Sequence, residues 1–114
     1  MLDMNADNFD EIIRNNQFVI VDCWTPWCSL CLYYDPLLDD LARKYIDKFV
    51  CGKLDLSNDE NREIAIKFQV TGIPTLLVFK NGKLIQTVVG VIPMRKLEPI
   101  LLELMAEKKH GKKK

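Results

Sequence analysis

The chain has 114 residues, of which 48% are hydrophobic and 28% charged, and its 16 basic and 16 acidic side chains balance. This length suits one domain, and no apolar run approaches the roughly 18–20 residues of a membrane-spanning helix. Five of the basic residues lie at 108–114, so residues 1–107 carry 11 basic and 16 acidic side chains. We therefore expect an acidic domain at 1–107 that binds neither nucleic acid nor a membrane, followed by a basic, disordered tail at 108–114.

The N-terminal stretch MLDMNADNFDEII carries acidic residues where a secretory signal would have a basic head and an apolar middle. We therefore expect a cytoplasmic protein. Thiols are kept reduced in that compartment, so a permanent structural disulfide is not expected.

The spacing of apolar residues predicts helices and strands in alternation along the chain. In chain order these are a helix within 5–16, a strand at 17–24, a helix from Cys28 to about Tyr45, a strand at 49–56, a helix at 58–68, a hairpin at 75–90 and a last helix that ends near Lys108. The hairpin is predicted from Asn81-Gly82, because this dipeptide favours the tightest turns between antiparallel strands.

This order of elements predicts an α/β fold. Strand–helix–strand units imply parallel pairing, and the hairpin adds an antiparallel edge. The expected architecture is a central mixed sheet of four to five strands with helices on both faces. Two prolines interrupt the helical patterns: Pro36 should kink the second helix, and the last helix should begin near Glu98 or bend at Pro99.

Two cysteines, Cys28 and Cys31, lie in the stretch WTPWCSLC, at the predicted start of a helix that directly follows a strand. At this spacing their side chains share one helical face and lie about 5–6 Å apart, within the range of a disulfide. The helix N-terminus offers unpaired backbone N–H groups and the positive end of the dipole, which stabilise a thiolate at Cys28. Cys31, one turn further along, suits the role of a resolving thiol.

Three other uses of this pair stay open. A closed zinc site needs four ligands, and the body of the chain offers no histidine because His110, the only one, lies in the tail. An iron–sulfur cluster shared between two chains could take two cysteines from each, and an inert buried pair would need no chemistry. The position at a helix start favours redox chemistry over all three, so we expect no metal and no cofactor.

Several motifs in series resemble the thioredoxin family, from about Phe9 to Met105. They are VIVDCWTPWCSLC, KLDLSND, VTGIPTLLVFKNGK and VVG, which parallel the family's active-site strand and helix, its lysine-bearing strand, its proline loop with hairpin, and its last strand. The resemblance implies a thioredoxin fold and a protein thiol–disulfide oxidoreductase that reduces protein disulfides by dithiol–disulfide exchange. Cys28 would attack the substrate disulfide, and Cys31 would then release the reduced substrate.

The resemblance also implies roles for residues outside the pair. Asp22 would be the buried acid that exchanges a proton with Cys31, and Lys53 would be the neighbouring lysine that tunes it. Pro74 would follow a cis peptide bond and face the two sulfurs. An apolar substrate groove would be formed by Trp27, Ile73, Pro74, Gly90 and Val91.

The two remaining cysteines, Cys23 and Cys51, are predicted to be packing residues. If Asp22 and Lys53 face each other, strand alternation puts Cys51 on their side of the sheet and Cys23 on the other. A disulfide between them would have to pass through the sheet, so both should be free, buried thiols.

The sequence departs from the family between and after the paired cysteines. Ser29-Leu30 stands where Gly-Pro is usual, and Leu32 stands where a lysine commonly follows. Leu30 restores a backbone N–H that proline lacks, which would stabilise the Cys28 thiolate and make the pair more oxidising. Loss of the lysine acts in the opposite direction. We hypothesise that Ser29 and Leu30 set a potential more oxidising than that of a Gly-Pro thioredoxin.

The expected partners are disulfide-containing protein substrates and, as electron donor, a thioredoxin reductase or another disulfide reductase. The protein itself is expected to be a monomer. Two alternatives stay open: a glutaredoxin-like or oxidase/isomerase-type oxidoreductase, and a non-catalytic thioredoxin-fold module that binds a partner.

Overall fold

The structure is a computed structural model that describes residues 1–106, so the tail expected at 108–114 lies outside the described residues. The elements along residues 1–106 are β1 (Leu2–Met4), α1 (Phe9–Asn15), β2 (Phe18–Trp24), α2 (Ser29–Lys44), β3 (Val50–Asp55), α3 (Asp59–Lys67), β4 (Thr75–Lys80), β5 (Lys83–Val89) and α4 (Met94–Ala106). Within this range no helix has the length and hydropathy to cross a membrane.

The strands form one five-stranded sheet in the order β1-β3-β2-β4-β5. β1 and β2 run parallel to β3, whereas β4 runs antiparallel to both β2 and β5. Apolar residues of α2 and α4 pack on one face of the sheet, and those of α1 and α3 pack on the other. The predicted α/β architecture with a mixed sheet covered on both sides is therefore confirmed.

β1 is the one strand among the described residues that the sequence pattern did not reveal. It is only three residues long, which is too short to show the alternation of a strand. It pairs with β3 next to Gly52, where a Cβ atom would collide with the side chain of buried Met4. The missing side chain at Gly52 therefore leaves room for the Met4 side chain beside β3.

Both helices that contain an internal proline continue through it. α2 runs from Ser29 to Lys44 through Pro36, and α4 runs from Met94 to Ala106 through Pro99. The expected start of the last helix near Glu98 is therefore wrong. The carbonyl of Pro93 accepts hydrogen bonds from the amides of Lys96 and Leu97 at 2.8 and 2.9 Å, and this turn begins the helix before Pro99 is reached.

Cys23 and Cys51 lie on opposite faces of the sheet, as predicted. Cys51 packs with residues beneath α2 and α4, and Cys23 packs with residues beneath α1. Both are free and buried, and burial raises the pKa of each thiol to about 12. These two side chains stay protonated and act as small apolar groups in the core.

Candidate active site

The cysteine pair lies where β2 passes into α2. Cys28 is the N-cap of the helix, and its amide donates to the carbonyl of Thr25 at 3.2 Å, which closes the turn from the strand. Its sulfur forms a disulfide with Cys31, with 5.2 Å between the two Cα atoms. Cys28 is half-buried, whereas Cys31 is 2% exposed, so an incoming sulfur can reach only the first of the two.

A backbone donor already points at the accessible sulfur. The amide of Cys31 donates to Cys28 Sγ at 3.2 Å. In this disulfide form the donor is thus the Cys31 amide and not the Leu30 amide on which the sequence argument rested. Any negative charge that develops on Cys28 meets this N–H group and the positive end of α2.

The proline loop and the end of β5 meet at the same edge of the sheet. Cys23 of β2 pairs with Thr75 of β4, and Thr75 pairs with Val89 of β5, so the C-terminal ends of β2 and β5 lie on either side of the start of β4. The Ile73–Pro74 peptide bond is cis, and the carbonyl of Pro74 accepts a hydrogen bond from the Gly90 amide at 2.8 Å. This bond ties together two of the segments predicted to form the substrate groove.

The predicted groove residues differ widely in exposure. The Trp27 side chain is 74% exposed beside Cys28, so it is not a core residue. Pro74 is buried, and the other members are half-buried: Ile73, Gly90 and Val91. Trp27 is therefore the member of the set that offers most apolar surface to a partner.

Asp22 lies inside the protein, directly opposite Lys53 in the pairing of β2 with β3. It is 2% exposed, and strand alternation puts it on the same face as Ile20, which packs beneath α2. Burial raises the pKa of Asp22 from 3.8 to about 7, while the nearby Lys53 lowers it and Asp35 raises it further. Asp22 is therefore a carboxyl group that changes its protonation state near neutral pH.

Lys53 does not form an ion pair with Asp22 in the described part of the chain. Its ammonium lies 2.7 Å from Asp35 Oδ1 and 4.0 Å from the centre of the Trp24 ring. Lys53 therefore acts on Asp22 through space and not through a direct bond. Sequence analysis missed Asp35, although its position four residues after Cys31, one turn further along α2, was a usable signal.

Three buried polar atoms at this end of β2 have no hydrogen-bond partner within residues 1–106. They are Asp22 Oδ1, Trp24 Nε1 and Thr25 Oγ1. Buried polar groups in proteins nearly always have a hydrogen-bond partner, which is either another protein group or an ordered water molecule. The end of β2 and the residue after it thus hold one acceptor and two donor groups that no other group of residues 1–106 satisfies.

Beyond the predicted groove, the first two turns of α2 carry exposed apolar side chains. Leu30 and Tyr33 are 58% and 62% exposed, and Leu32 is also exposed. The helix has no acidic residue in its first turn. The apolar surface around Cys28 therefore extends beyond the predicted groove, along the helix.

The amino-acid sequence matches the family model described as Thioredoxin over residues 1–103. The chain belongs to the thioredoxin family. A chloroplastic M-type thioredoxin of Chlamydomonas reinhardtii is 37% identical over 91 residues, which are 79% of this chain and 64% of the relative. A thioredoxin of Pyropia yezoensis is also 37% identical over 91 residues, which cover 80% of this chain and 83% of the relative.

The fold agrees with solved thioredoxin structures. A mutant thioredoxin from Halobacterium salinarum NRC-1 superposes with a TM-score of 0.84 at 26% identity, covering 95% of this chain and 93% of that one. The sheet and helices described above are thus a thioredoxin fold, as the resemblance implied. The chain spans only 64% and 52% of the length of two chloroplastic M-type relatives that it matches.

Proposed function

We propose that this protein is a thiol–disulfide oxidoreductase that reduces protein disulfides by dithiol–disulfide exchange through Cys28 and Cys31. The observation that carries the proposal is the bonded pair itself, with a reachable sulfur on a helix N-cap and a buried sulfur one turn further along. Membership of the thioredoxin family supports it independently. A permanent structural disulfide has no need of a reachable sulfur at a helix N-terminus.

In the first step the Cys28 thiolate attacks one sulfur of a substrate disulfide. A bond forms between Cys28 and that sulfur, the substrate disulfide breaks, and the other substrate sulfur leaves as a thiolate that takes up a proton. The amide of Cys31 and the start of α2 stabilise the attacking thiolate. The substrate segment around the disulfide binds in the substrate groove, with Trp27 as its most exposed wall.

In the second step Cys31 resolves the mixed disulfide. Its thiol gives a proton to the Asp22 carboxylate, and the resulting thiolate attacks Cys28 Sγ. This attack re-forms the Cys28–Cys31 bond and releases the second substrate sulfur as a thiolate, which takes up a proton. A pKa of about 7 suits Asp22 to this exchange, because a proton carrier works best when its pKa is near the operating pH. The substrate thereby gains two electrons and two protons.

The cycle needs an electron donor that reduces the Cys28–Cys31 bond again. We propose a thioredoxin reductase or another disulfide reductase for this role, with the protein acting as a monomer in the cytoplasm. The two free thiols, Cys23 and Cys51, are compatible with a reducing compartment.

The proposal is tested by insulin disulfide reduction with two electron sources in parallel. One reaction receives thioredoxin reductase and NADPH, and the other receives glutathione, glutathione reductase and NADPH. We expect turnover with thioredoxin reductase and little with glutathione. A Cys31→Ser variant should accumulate a mixed disulfide with insulin, visible on a non-reducing gel, because the resolving thiol is absent. Absence of insulin reduction with every reductant, dithiothreitol included, would overturn the proposal.

A further inference from the structure

A third charged side chain, Asp35, lies beside the predicted acid and lysine. It is on α2, one helical turn after Cys31, and its Oδ1 atom is 2.7 Å from Lys53 Nζ. Lys53 in turn stands on β3 directly opposite Asp22. The lysine therefore connects the helix that carries the resolving cysteine to the strand that carries the proposed proton carrier.

The position of the Lys53 ammonium is fixed from two sides. Asp35 holds it by charge, and the Trp24 ring lies beneath it with 4.0 Å between Nζ and the ring centre. The Lys53 side chain is 19% exposed and that of Asp35 is 36% exposed, so this pair is screened less than one between two fully exposed side chains. With its charge matched by Asp35, the ammonium forms no ion pair with Asp22 within residues 1–106.

Few other charged or titratable groups face Asp22. On β3 they are Lys53 and the buried thiol of Cys51, and on α2 they are Asp35 and the Tyr34 hydroxyl. The residue opposite Asp22 on β4 is the apolar Leu76. Beyond burial, the pKa of Asp22 is therefore lowered by the Lys53 ammonium and raised by the Asp35 carboxylate.

We propose that Asp35 is a positioning residue for proton transfer at Asp22, because it holds the Lys53 ammonium against α2 and prevents a direct Asp22–Lys53 ion pair. This inference rests on the proposed function, since it assigns Asp35 to the resolving step. Asp35 touches neither the sulfurs nor Asp22 in any contact described above, so it acts through Lys53. A carboxylate at this place keeps Asp22 available as both acceptor and donor of the Cys31 proton.

The inference is tested by the carboxyl titration of Asp22 in the oxidised protein, followed by carbon-13 NMR. In Asp35→Asn the ammonium loses its partner and can pair with Asp22, so the Asp22 midpoint should fall by about one pH unit or more. Asp35→Glu keeps the charge and should restore a midpoint near that of the unchanged protein. Asp40→Asn is the matched control, because Asp40 lies on the same helix but is exposed and pairs with Arg43.

A second pair of variants separates positioning from simple repulsion between two carboxylates. Asp35→Asn is compared in the presence and absence of Lys53→Met. If Asp35 acts by holding the lysine, the Asp35→Asn substitution should shift the Asp22 midpoint much less in the Lys53→Met background than in the unchanged protein. Equal shifts in both backgrounds would overturn the positioning role, as would an unchanged midpoint in Asp35→Asn.

A rate measurement links the titration to catalysis. Reduction of the Cys28–Cys31 disulfide by dithiothreitol reverses the resolving step and needs protonated Asp22. Its pH profile should therefore move to lower pH in Asp35→Asn by the same amount as the Asp22 midpoint, whereas a merely structural substitution would lower the rate at every pH. A profile that stays in place while the midpoint moves would overturn the link to the resolving step. Because the titration needs no turnover, a protein that fails to reduce insulin would refute the proposed function and leave the ion-pair result readable.

Discussion

The two faces of the sheet differ most at Asp22 and Cys23, which are neighbours on β2 and are both almost completely buried. The Asp22 face, beneath α2 and α4, holds a carboxyl, the Lys53 ammonium and the Tyr34 hydroxyl. The Cys23 face, beneath α1 and α3, is filled by apolar side chains, including the aromatic rings of Phe9, Phe68 and Phe79, which contact one another.

The same physical cause has opposite consequences on the two faces. Burial disfavours the charged form of both groups, and it raises the pKa of Asp22 to about 7 and that of Cys23 to about 12. The pKa of the carboxyl is thereby brought close to neutral pH, where the group can exchange protons. The pKa of the thiol moves further above neutral pH, so the thiol stays protonated and inert. Desolvation alone thus creates a reactive group or removes one, according to where its unperturbed pKa lies.

The largest difference should be seen between variants that remove the reachable thiol of Cys28 and the buried thiol of Cys23. Cys28→Ala should abolish insulin reduction, because the reachable sulfur at the start of α2 is lost. Cys23→Ala removes a thiol on the other face and should leave the rate within about twofold of the unchanged protein, since that thiol does not ionise near neutral pH. Steady-state insulin reduction with thioredoxin reductase measures both. An active Cys28→Ala protein would contradict the assignment of the nucleophile.

Asp22→Asn should stabilise the oxidised protein at pH 8 but not at pH 4. Folding raises the pKa of Asp22 from 3.8 to about 7, so the folded state binds a proton more tightly than the unfolded chain. The protein therefore loses stability as the pH rises through that interval. A shift of this size corresponds to at most about 4 kcal/mol above pH 7, and the asparagine variant escapes this cost.

Urea unfolding of both proteins at the two pH values measures this difference. Asp40→Asn is the control, because that carboxylate is exposed and should show no comparable dependence on pH. A gain in unfolding free energy that is equal at pH 4 and pH 8 would show that the ionised Asp22 carboxylate is not its source.

The parts of the site that could be predicted from the sequence are those encoded by residues close together in the chain. The cysteine pair, the strand before it and the helix after it lie in one stretch, and strand alternation then places Asp22 opposite Lys53. The opposite positions of Cys23 and Cys51 followed from the same alternation. The regular spacing of residues in helices and strands was therefore enough to predict the backbone elements and the face on which each of these residues lies.

The features that could not be predicted depend on contacts between side chains of different helices and strands. Asp35 is one of several acids on an amphipathic helix, and only the packing of α2 against β3 brings it to Lys53. Lys53 lies opposite Asp22, as expected, but the pairing of its ammonium with Asp35 depends on the same packing and was not predicted. β1 was missed because its three residues are too few to show the alternation of a strand.

The Tyr34 hydroxyl offers a smaller test of the polar face. It donates to the carbonyl of Ile92 at 2.8 Å and accepts from the Ile92 amide at 3.2 Å, which ties α2 to the loop that follows Val91. Tyr34→Phe should lower the unfolding free energy by about 1–2 kcal/mol, because two backbone groups lose their partner. The control is Tyr33→Phe, whose neighbouring hydroxyl is exposed, and equal losses in both variants would contradict the contact's role.

The smallest expected effects concern the potential of the pair, which lies at the edge of the polar face. Replacing Ser29-Leu30 by Gly-Pro removes a backbone N–H from the start of α2 and should make the protein more reducing by about 30 mV, the equivalent of about 1.4 kcal/mol. Leu32→Lys adds an exposed charge near Cys28, and screening should limit its opposite effect to a fraction of that value.

Equilibration of each variant with glutathione at known ratios of thiol to disulfide measures these potentials. The Gly-Pro change acts through the backbone of the helix N-terminus, so its effect should persist at high salt. The effect of Leu32→Lys acts through solvent and should fade as salt is added. A Gly-Pro variant with an unchanged potential would mean that the Cys31 amide, which already donates to Cys28 Sγ, supplies the stabilisation that Ser29-Leu30 was expected to add.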